Sequence, residues 1–378
     1  MTRTRRHGTE GVGETLPNIF PSIGPVTRMV VFADFADHGP IPSENAWLVE
    51  GPEVIGHGLA GVARRLIHER SLTVPPDITR AIQEAQFEEL TMSALAVNRS
   101  QAGLAALEAA GVHYAVTKGP GIAILGRAVS DRPYVDLDVV VDPADFGEAR
   151  NVLARGGFTE REETRQPWST FDRHCREAVN LRTPIGGSID LHHRVSPWFW
   201  SGELSRAVLA ASVPRTGVFG VELPLASPVH NLLACALHVV SDKGRPGQTV
   251  RVWRDLVVLV AACDVDEVVQ AAAATGLVEW LAWILGCLPV DVRPRELMAK
   301  LDGQAGDVRG RFRLTKLMPP GIGANPLLGH AFRLPVPNAA LYVAGMLMPS
   351  PTFLRHRYPD RGQRYLTWWR DSFRSITT

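Results

Sequence analysis

The sequence predicts an α/β protein in which a small mixed β-sheet is flanked by helical segments from both ends of the chain. Three observations favour this class. Short runs rich in β-branched residues concentrate within residues 112–227, helical periodicity dominates the stretches on either side, and Gly and Pro residues separate the runs. With 378 residues, of which 45% are hydrophobic and 21% charged, the chain is long enough for two or three domains with a sizeable core.

The order of these patterns divides the chain into four parts. Residues 1–42 are rich in Gly, Pro, Thr and Arg without a sustained period, which predicts a flexible or loosely packed N-terminal arm. Residues 43–111 form an N-terminal helical segment, residues 112–227 a core that carries the sheet, and residues 228–378 a C-terminal helical domain. We therefore expect two helical parts to enclose one sheet.

Proline and glycine punctuate the N-terminal helical segment. Pro75 and Pro76 break the first helical pattern, and Asp77 caps a helix that continues from there. A second helical stretch stops at Gly111, because glycine readily takes the left-handed conformation that ends many helices.

Four runs of the core are predicted strands. The first two are residues 112–117 and 134–141, and the second of these reads Y-V-D-L-D-V-V-V. The last two, residues 177–183 and 188–195, are separated by Pro-Ile-Gly-Gly, which predicts a β-hairpin. An amphipathic helix over residues 144–154 lies between the two pairs.

The C-terminal domain begins with three predicted helices, over residues 229–240, 250–263 and 265–288. His230 and His238 share one face of the first helix. We interpret them as packing or surface residues, because no third metal ligand is evident near them in sequence.

Charge and cysteine content exclude several classes of protein. With Lys+Arg 40 and Asp+Glu 39, the net charge is +1, so no overall field attracts nucleic acid or an anionic membrane. We find no signal peptide and no apolar run near the ~18–20 residues of a membrane span. The four cysteines show no Cys-x-x-Cys spacing, which argues against a zinc ribbon or a redox motif. We expect a cytoplasmic protein, and its preference for Arg over Lys is typical of a GC-rich bacterial genome.

Two carboxylates of the second predicted strand point to one face of the sheet. Asp136 and Asp138 alternate with apolar residues, so they lie side by side, repel each other and are costly to remove from water. A divalent cation between them removes that cost, and oxygen ligands suit Mg²⁺ or Mn²⁺. The alternative that remains open is an edge strand with a solvated acidic face.

Three neighbours favour the metal hypothesis. Asp190 lies in the last predicted strand, again between apolar residues. Lys118 precedes a Gly-Pro-Gly loop between a strand and a helix, where backbone N–H groups favour an anion. Arg132 lies four residues before Asp136, close enough to reach a phosphate at the metals. Carboxylates beside a cationic loop are typical of phosphoryl or nucleotidyl transfer.

These motifs carry a resemblance to a known family. The segments T-K-G-P-G-I-A (117–123), R-P-Y-V-D-L-D-V-V-V (132–141) and S-I-D-L-H-H-R (188–194) resemble the DNA polymerase beta-type nucleotidyltransferase superfamily, and within it the uncharacterised nucleotidyltransferase family. The segments H-N-L-L-A-C-A-L-H (230–238), R-V-W-R-D-L (251–256) and M-P-S-P-T-F-L-R-H-R-Y (348–358) are similar to the helical half of that family.

The resemblance spans roughly residues 60–365, and it implies a sheet of nucleotidyltransferase type. It also implies Mg²⁺- or Mn²⁺-dependent transfer of a nucleoside monophosphate from an NTP to a hydroxyl or phosphate acceptor, with release of pyrophosphate. Carried over residue by residue, it makes Asp136, Asp138 and Asp190 the catalytic carboxylates and metal ligands.

The same resemblance assigns the nucleotide-binding residues. Lys118 and Gly119 form the phosphate-side loop, with Gly121 in support, and Arg132 contacts the phosphates. The loop departs from the superfamily pattern because Pro120 supplies no backbone N–H. His192 shares a face with Asp190 and is placed at the nucleotide site, with a structural role as the alternative.

The acceptor stays open among a small molecule, a natural-product peptide, a protein and a tRNA end. An Arg-rich C-terminus offers a patch for RNA or an acidic peptide; its arginines are Arg355, Arg357, Arg361, Arg364, Arg370 and Arg374. The aromatic clusters Trp198-Phe199-Trp200 and Trp368-Trp369 are interpreted as packing contacts, with a stacking platform for a base as the alternative. Two other hypotheses remain, a toxin-like tRNA nucleotidyltransferase and a non-catalytic binding protein on the same fold.

Overall fold

The computed structural model covers most of the chain. It describes residues 20–35, 41–160, 175–196, 201–239, 250–304, 336–349, 351, 354–355, 358 and 362–377. His174 and the cluster Trp198-Phe199-Trp200 lie outside the described residues.

A seven-stranded mixed sheet forms the centre of the protein, which confirms the predicted mixed α/β class, although the sequence indicated four of the seven strands. Its strands are β1 (Tyr114–Thr117), β2 (Leu137–Val141), β3 (Thr159–Glu160), β4 (Ala178–Arg182), β5 (Ser188–His192), β6 (Val213–Thr216) and β7 (Glu222–Leu225). The spatial order is β3-β4-β5-β2-β1-β7-β6. The pairs β2–β5 and β1–β7 are parallel and the others antiparallel, and the predicted hairpin is β4–β5.

The strand register brings the predicted carboxylates together. Asp138 of β2 lies opposite Asp190 of β5 on one side and opposite Thr117 of β1 on the other. Leu137 and Val139, which alternate with Asp138, are completely buried, and this burial fixes the face that Asp138 presents. The end of β1 therefore delivers Lys118 beside the two carboxylates.

Helices surround the sheet. They are α1 (Pro25–Val31), α2 (Glu44–Gly56), α3 (Ala60–Glu69), α4 (Pro76–Ala109), α5 (Gly119–Ala123), α6 (Phe146–Arg155), α7 (Ser201–Ala210), α8 (Pro228–His238), α9 (Arg251–Ala261), α10 (Val265–Thr275), α11 (Val278–Gly286), α12 (Arg295–Gln304), α13 (Val336–Leu347) and α14 (Arg364–Thr377). Within the described part of the chain, no helix is both long enough and apolar enough to cross a membrane.

Several element boundaries differ from the predictions. The first strand begins at Tyr114, not at 112, and the second begins at Leu137, not at 134, where Leu137 pairs with Ile189 of β5. The two predicted helical stretches before Gly111 form one continuous helix, α4. The predicted helix over 265–288 is divided at Gly276, whose φ of 62° ends α10.

Part of the predicted N-terminal arm is a packed element. Helix α1 lies within residues 1–42, and its Val26, Val30 and Val31 are completely buried. They belong to the same apolar core as Trp253 of α9. The seven residues of α1 are too few for periodicity to predict a helix. Its burial comes from packing against α2, α3 and α9.

A buried ion network ties three parts of the chain together. Arg254 of α9 donates to Asp34, which follows α1, at 2.8 Å. Arg65 of α3 donates to Asp34 at 2.8 Å and to Asp131 at 2.9 Å. Asp131 ends the 3₁₀ turn Val129–Asp131 in the core. The network therefore joins both helical segments to the loop before β2.

The C-terminal tryptophan pair supports the packing interpretation in part. Trp369 of α14 is 44% exposed, and its indole N–H donates to the carbonyl of Leu347, at the end of α13, at 2.9 Å. This contact joins the two last helices.

We predict that Arg254→Met destabilises the fold by about 3–5 kcal/mol, because it leaves Asp34 and Asp131 without one of their buried cations. Urea denaturation measures the loss. The control is Arg80→Met, since Arg80 is 68% exposed in its pair with Asp77, and that change should stay within about 0.5 kcal/mol. Equal effects of the two changes would contradict the prediction.

Candidate functional site

A cavity of about 580 Å³ lies where β1 ends and β2 begins, between the sheet and helices α4, α8 and α9. Seven of the eight predicted site residues line it, namely Lys118, Gly119, Arg132, Asp136, Asp138, Asp190 and His192. Gly121 is the exception, since it is buried against α8 and does not face the cavity.

Asp138 is the centre of the polar contacts in the cavity. Its Oδ1 accepts from Lys118 Nζ at 2.7 Å and lies 3.2 Å from His192 Nε2. Burial alone raises the pKa of Asp138, but the charge of Lys118 and the His192 hydrogen bond outweigh burial and hold it far below its ordinary value. Burial lowers the pKa of His192, whereas the hydrogen bond to Asp138 raises it. The resulting pKa of His192 lies above its ordinary value. Asp138 is therefore the permanent anion of the site.

Asp190 is the neighbouring carboxylate on β5. Asn180 of β4 lies directly opposite it and donates to its Oδ1. Burial is the largest cause that raises the pKa of Asp190, and the charge of Asp138 adds to it although His192 opposes it. A carboxylate in this environment needs a cation or a proton.

Asp136 occupies a different position from the one predicted. It precedes β2 instead of lying on it, although its side chain still lines the cavity. Burial, followed by the charges of Asp138 and Asp190, raises the pKa of Asp136 to about 6. Repulsion among the three carboxylates is therefore part of the unliganded site.

Within the described part of the chain, Asp138, Asp190 and His192 form a group of potential metal ligands, one ligand atom of each lying within 4.8 Å of the others. The predicted set had Asp136 in place of His192. The imidazole is suitably held, because its Nδ1 lies 3.1 Å from the carbonyl oxygen of Arg194. A carbonyl only accepts, so Nδ1 carries a proton and Nε2 is the nitrogen that faces Asp138, where it would bind a metal after giving up its own proton. These residues fit a divalent cation.

The loop after β1 carries backbone strain. Lys118 has φ 54° and ψ −113°, a conformation that costs a non-glycine residue about 1–3 kcal/mol. The next residue must be glycine, because a Cβ on Gly119 would lie 2.8 Å from the Cβ of Tyr134. The sharp turn from strand to helix directs the Lys118 ammonium into the cavity, where only 11% of its side chain is exposed.

Arg132 has a partner that the sequence did not indicate. Its Nε donates to Asp255 of α9 at 2.7 Å. Burial lowers the pKa of Arg132, whereas the charge of Asp255 raises it. The resulting pKa of Arg132 lies above its ordinary value. Arg251, one turn earlier on α9, also lines the cavity, and the charge of Arg132 followed by burial lowers its pKa to about 10. Two guanidinium groups therefore lie near each other in the cavity wall.

Comparison with known proteins decides the family. The uncharacterised nucleotidyltransferase family matches residues 54–289, more than half of the chain. The chain belongs to this family. The matched residues include the whole sheet, all predicted site residues and helices α8 to α11.

The chain is also similar to a solved structure, that of an antigenic nucleotidyltransferase-like protein from Paracoccidioides brasiliensis. The identity is 16%, the match covers 57% of this chain and 92% of that chain, and the TM-score is 0.29. A likeness this low supports no argument about the present site. No curated protein matches the chain significantly.

Several cavity residues were not predicted as site residues. His238, Arg251 and Asp255 line the cavity and lie in the two segments, 230–238 and 251–256, whose similarity to the family was noted without assigning roles. Their similarity to the family is the sequence feature that could have identified these three residues as site residues. His238 therefore faces the site, whereas His230 Nδ1 lies 2.8 Å from the Ser227 hydroxyl at the start of α8.

Glu89 of α4 is a further unpredicted residue, and its sequence context gave no signal. It lines the cavity, and its Oε2 is buried without a hydrogen-bond partner among the described residues. Burial raises the pKa of Glu89 to about 7. The N-terminal helical segment thus contributes a carboxylate that is ready to bind a proton or a donor.

We predict that Asp136→Asn stabilises the metal-free protein by about 1–3 kcal/mol at pH 7.5. The folded pKa of Asp136, about 6, lies above the unfolded value of 3.8, so the wild type loses stability as pH rises from about 4 to 6. The gain should therefore shrink towards pH 4.5.

Urea denaturation in EDTA at the two pH values measures this difference. Asp302→Asn, a change at an exposed position of α12, is the control and should shift stability by less than about 0.5 kcal/mol at either pH. A loss of stability in Asp136→Asn at pH 7.5 would show that the carboxylate repulsion is not relieved.

Proposed function

We propose that this protein is a metal-dependent nucleotidyltransferase. It moves a nucleoside monophosphate from an NTP to a hydroxyl or phosphate acceptor and releases pyrophosphate. The observation that carries the proposal is the convergence of Asp138, Asp190 and His192 in one cavity with the strained Lys118 loop beside them. Family membership supports the same reaction class.

Asp138, Asp190 and His192 would hold the divalent cation, and Asp136 lies at the edge of the same site. A cation bound there supplies charge neutralisation and alignment of the phosphate that is attacked. Oxygen ligands suit Mg²⁺ and Mn²⁺ alike, while the imidazole nitrogen of His192 favours Mn²⁺. This preference distinguishes the site from one built of three carboxylates.

Lys118 exchanges one partner for another in this proposal. Without a cation, its ammonium neutralises Asp138 at 2.7 Å. With a divalent cation held by the carboxylates, the same ammonium would be available to donate to the NTP phosphates, which are acceptors of matching charge. Arg251 supports the phosphates from α9, and Arg132, held by Asp255, contributes its charge to the same wall.

The acceptor side of the cavity is formed by α4. The buried Glu89 Oε2 is positioned to accept a hydrogen bond from an acceptor hydroxyl, and a pKa of about 7, raised by burial, suits transfer of a proton near neutral pH. Asp190 serves as the metal ligand and as the second group able to draw the acceptor proton. A small molecule, a natural-product peptide, a protein and a tRNA end all carry such hydroxyl groups.

A tRNA or peptide acceptor would use the Arg-rich C-terminus. The side chains of Arg355, Arg364 and Arg370 are described, and Arg364 donates to the Tyr358 carbonyl at 2.9 Å. Arg357 and Arg361 lie outside the described residues, as does the side chain of Arg374.

We predict that Asp190→Asn abolishes turnover while the protein remains folded, because the change keeps the volume and removes only the charge. Incubation with labelled NTPs, Mn²⁺ or Mg²⁺ and candidate acceptors measures transfer and pyrophosphate release. Circular dichroism checks the fold, and Asp302→Asn serves as the matched control with full turnover. Turnover near the wild-type level in Asp190→Asn would demote Asp190 to a structural role.

Lys118→Ala should weaken NTP binding by about 10–100-fold, and NMP binding by less, since the monophosphate lacks the β- and γ-phosphates. Calorimetry with Mn²⁺ measures both affinities, and the difference should decrease as salt rises. The control is Lys300→Ala, because Lys300 lies on α12 in exposed pairs with Asp266 and Glu296.

Two results of this calorimetry have opposite meanings. If the wild type binds no NTP at millimolar concentration, the non-catalytic alternative is correct. If NTP binds but Lys118→Ala changes nothing, the transferase hypothesis survives without this role for the lysine.

A further inference from the structure

Asn231, on the second turn of α8, is completely buried and lies directly behind the phosphate-side loop. It does not line the cavity, so it touches no substrate. We infer that Asn231 is a positioning residue, which holds the backbone of Lys118 in its strained conformation and so directs the ammonium at Asp138 and at an incoming phosphate. This inference rests on the proposed function.

Both ends of the Asn231 amide are in use. Its Oδ1 accepts from the backbone N–H of Lys118 at 2.8 Å, and its Nδ2 donates to the carbonyl of Ala226 at 3.2 Å. Because one partner only donates and the other only accepts, the amide has one orientation. The N–H of Ala226 in turn donates to Val116 at 3.0 Å. Asn231 therefore closes a ring of contacts around the end of β1.

The backbone of Lys118 needs such support. Lys118 and Ser71 are the non-glycine residues with positive φ in the described part of the chain. A strained conformation persists only where its surroundings hold it. At Lys118 the described holders are the Asn231 amide on the backbone N–H, the Ile122 N–H on the backbone carbonyl at 2.9 Å, and Asp138 on the side chain. With a cation bound at Asp138 the two backbone contacts would remain, and of these Asn231 supplies the one that comes from a side chain.

The contact between Asn231 and the loop after β1 also explains why residue 121 is a glycine. A Cβ on Gly121 would lie 2.6 Å from Asn231 Nδ2, so residue 121 must be glycine for the amide to approach the loop. Gly121 was predicted to support the phosphate-side loop. Its position against Asn231 also gives it a place in the packing that lets α8 reach Lys118.

The lysine content of the chain permits a direct test of the backbone contact. The sequence has four lysines, Lys118, Lys243, Lys300 and Lys316, so selective ¹⁵N-lysine labelling gives four backbone amide signals. Lys118→Arg identifies the signal of interest. Asn231→Ala should move the Lys118 signal further than the other three, in protein without nucleotide or metal. A Lys118 signal that stays in place would overturn the inference.

Nucleotide affinity tests the role. Asn231→Ala should weaken NTP binding in the presence of Mn²⁺ by about 10-fold, the equivalent of one hydrogen bond. If Asn231 acts through Lys118, adding Asn231→Ala to Lys118→Ala should cost less than a further two-fold. Full additivity of the two changes would contradict the inference.

A matched control separates positioning from stability. Leu232, the next residue on α8, is also completely buried but belongs to the apolar core. Leu232→Ala should lower the unfolding midpoint as much as Asn231→Ala does and leave NTP affinity within two-fold. An equal loss of affinity in Leu232→Ala would reduce Asn231 to a structural residue. If Asn231→Ala does not fold, Asn231→Ser, whose hydroxyl is too short for both partners, replaces it.

The inference and the proposed function fail in different ways. A wild type that binds no NTP overturns both. A wild type that binds NTP, with Lys118→Ala weakened and Asn231→Ala unchanged, overturns only the inference.

Discussion

Burial of like charges is the constraint on which this site depends. The register of β2 and β5 places Asp138 opposite Asp190, and Asp136 lines the same cavity. Removing several carboxylates from water is unfavourable unless cations accompany them. In the unliganded protein Lys118 supplies that charge, at the position where a divalent cation would act. The fold therefore keeps a built-in counter-ion at the point where a metal and a triphosphate are expected.

The helical segments complete what the sheet begins. Helix α9 supplies Arg251 and Asp255, and α4 supplies Glu89. The ion network around Arg65 and Arg254 holds the two segments against the loop before β2. Because the cavity wall is assembled from both ends of the chain, the stability of the helical packing and the geometry of the site are not independent.

The strained backbone of Lys118 serves to place its positive charge beside Asp138. A lysine in relaxed extended backbone at the end of β1 would continue the strand direction, and its side chain would alternate with Thr117. The sharp turn instead sends the ammonium to Asp138, and the cost of that turn is offset by contacts from β2 and α8. Strained backbone of this kind is common where a protein must hold a functional group in one place.

The sequence by itself determined the mixed α/β class, the hairpin and the alternation that turns Asp138 away from its apolar neighbours, because strand alternation and turn residues are local properties. It also carried the family resemblance. Only the tertiary structure decided that Asp138 lies opposite Asp190, that His192 joins them as a potential metal ligand, that Arg132 pairs with Asp255 and that Gly121 packs on Asn231. These contacts join residues more than fifty positions apart, or depend on where a strand finds its partner. Local periodicity holds no information on such contacts, since they arise from packing of the helical segments onto the sheet.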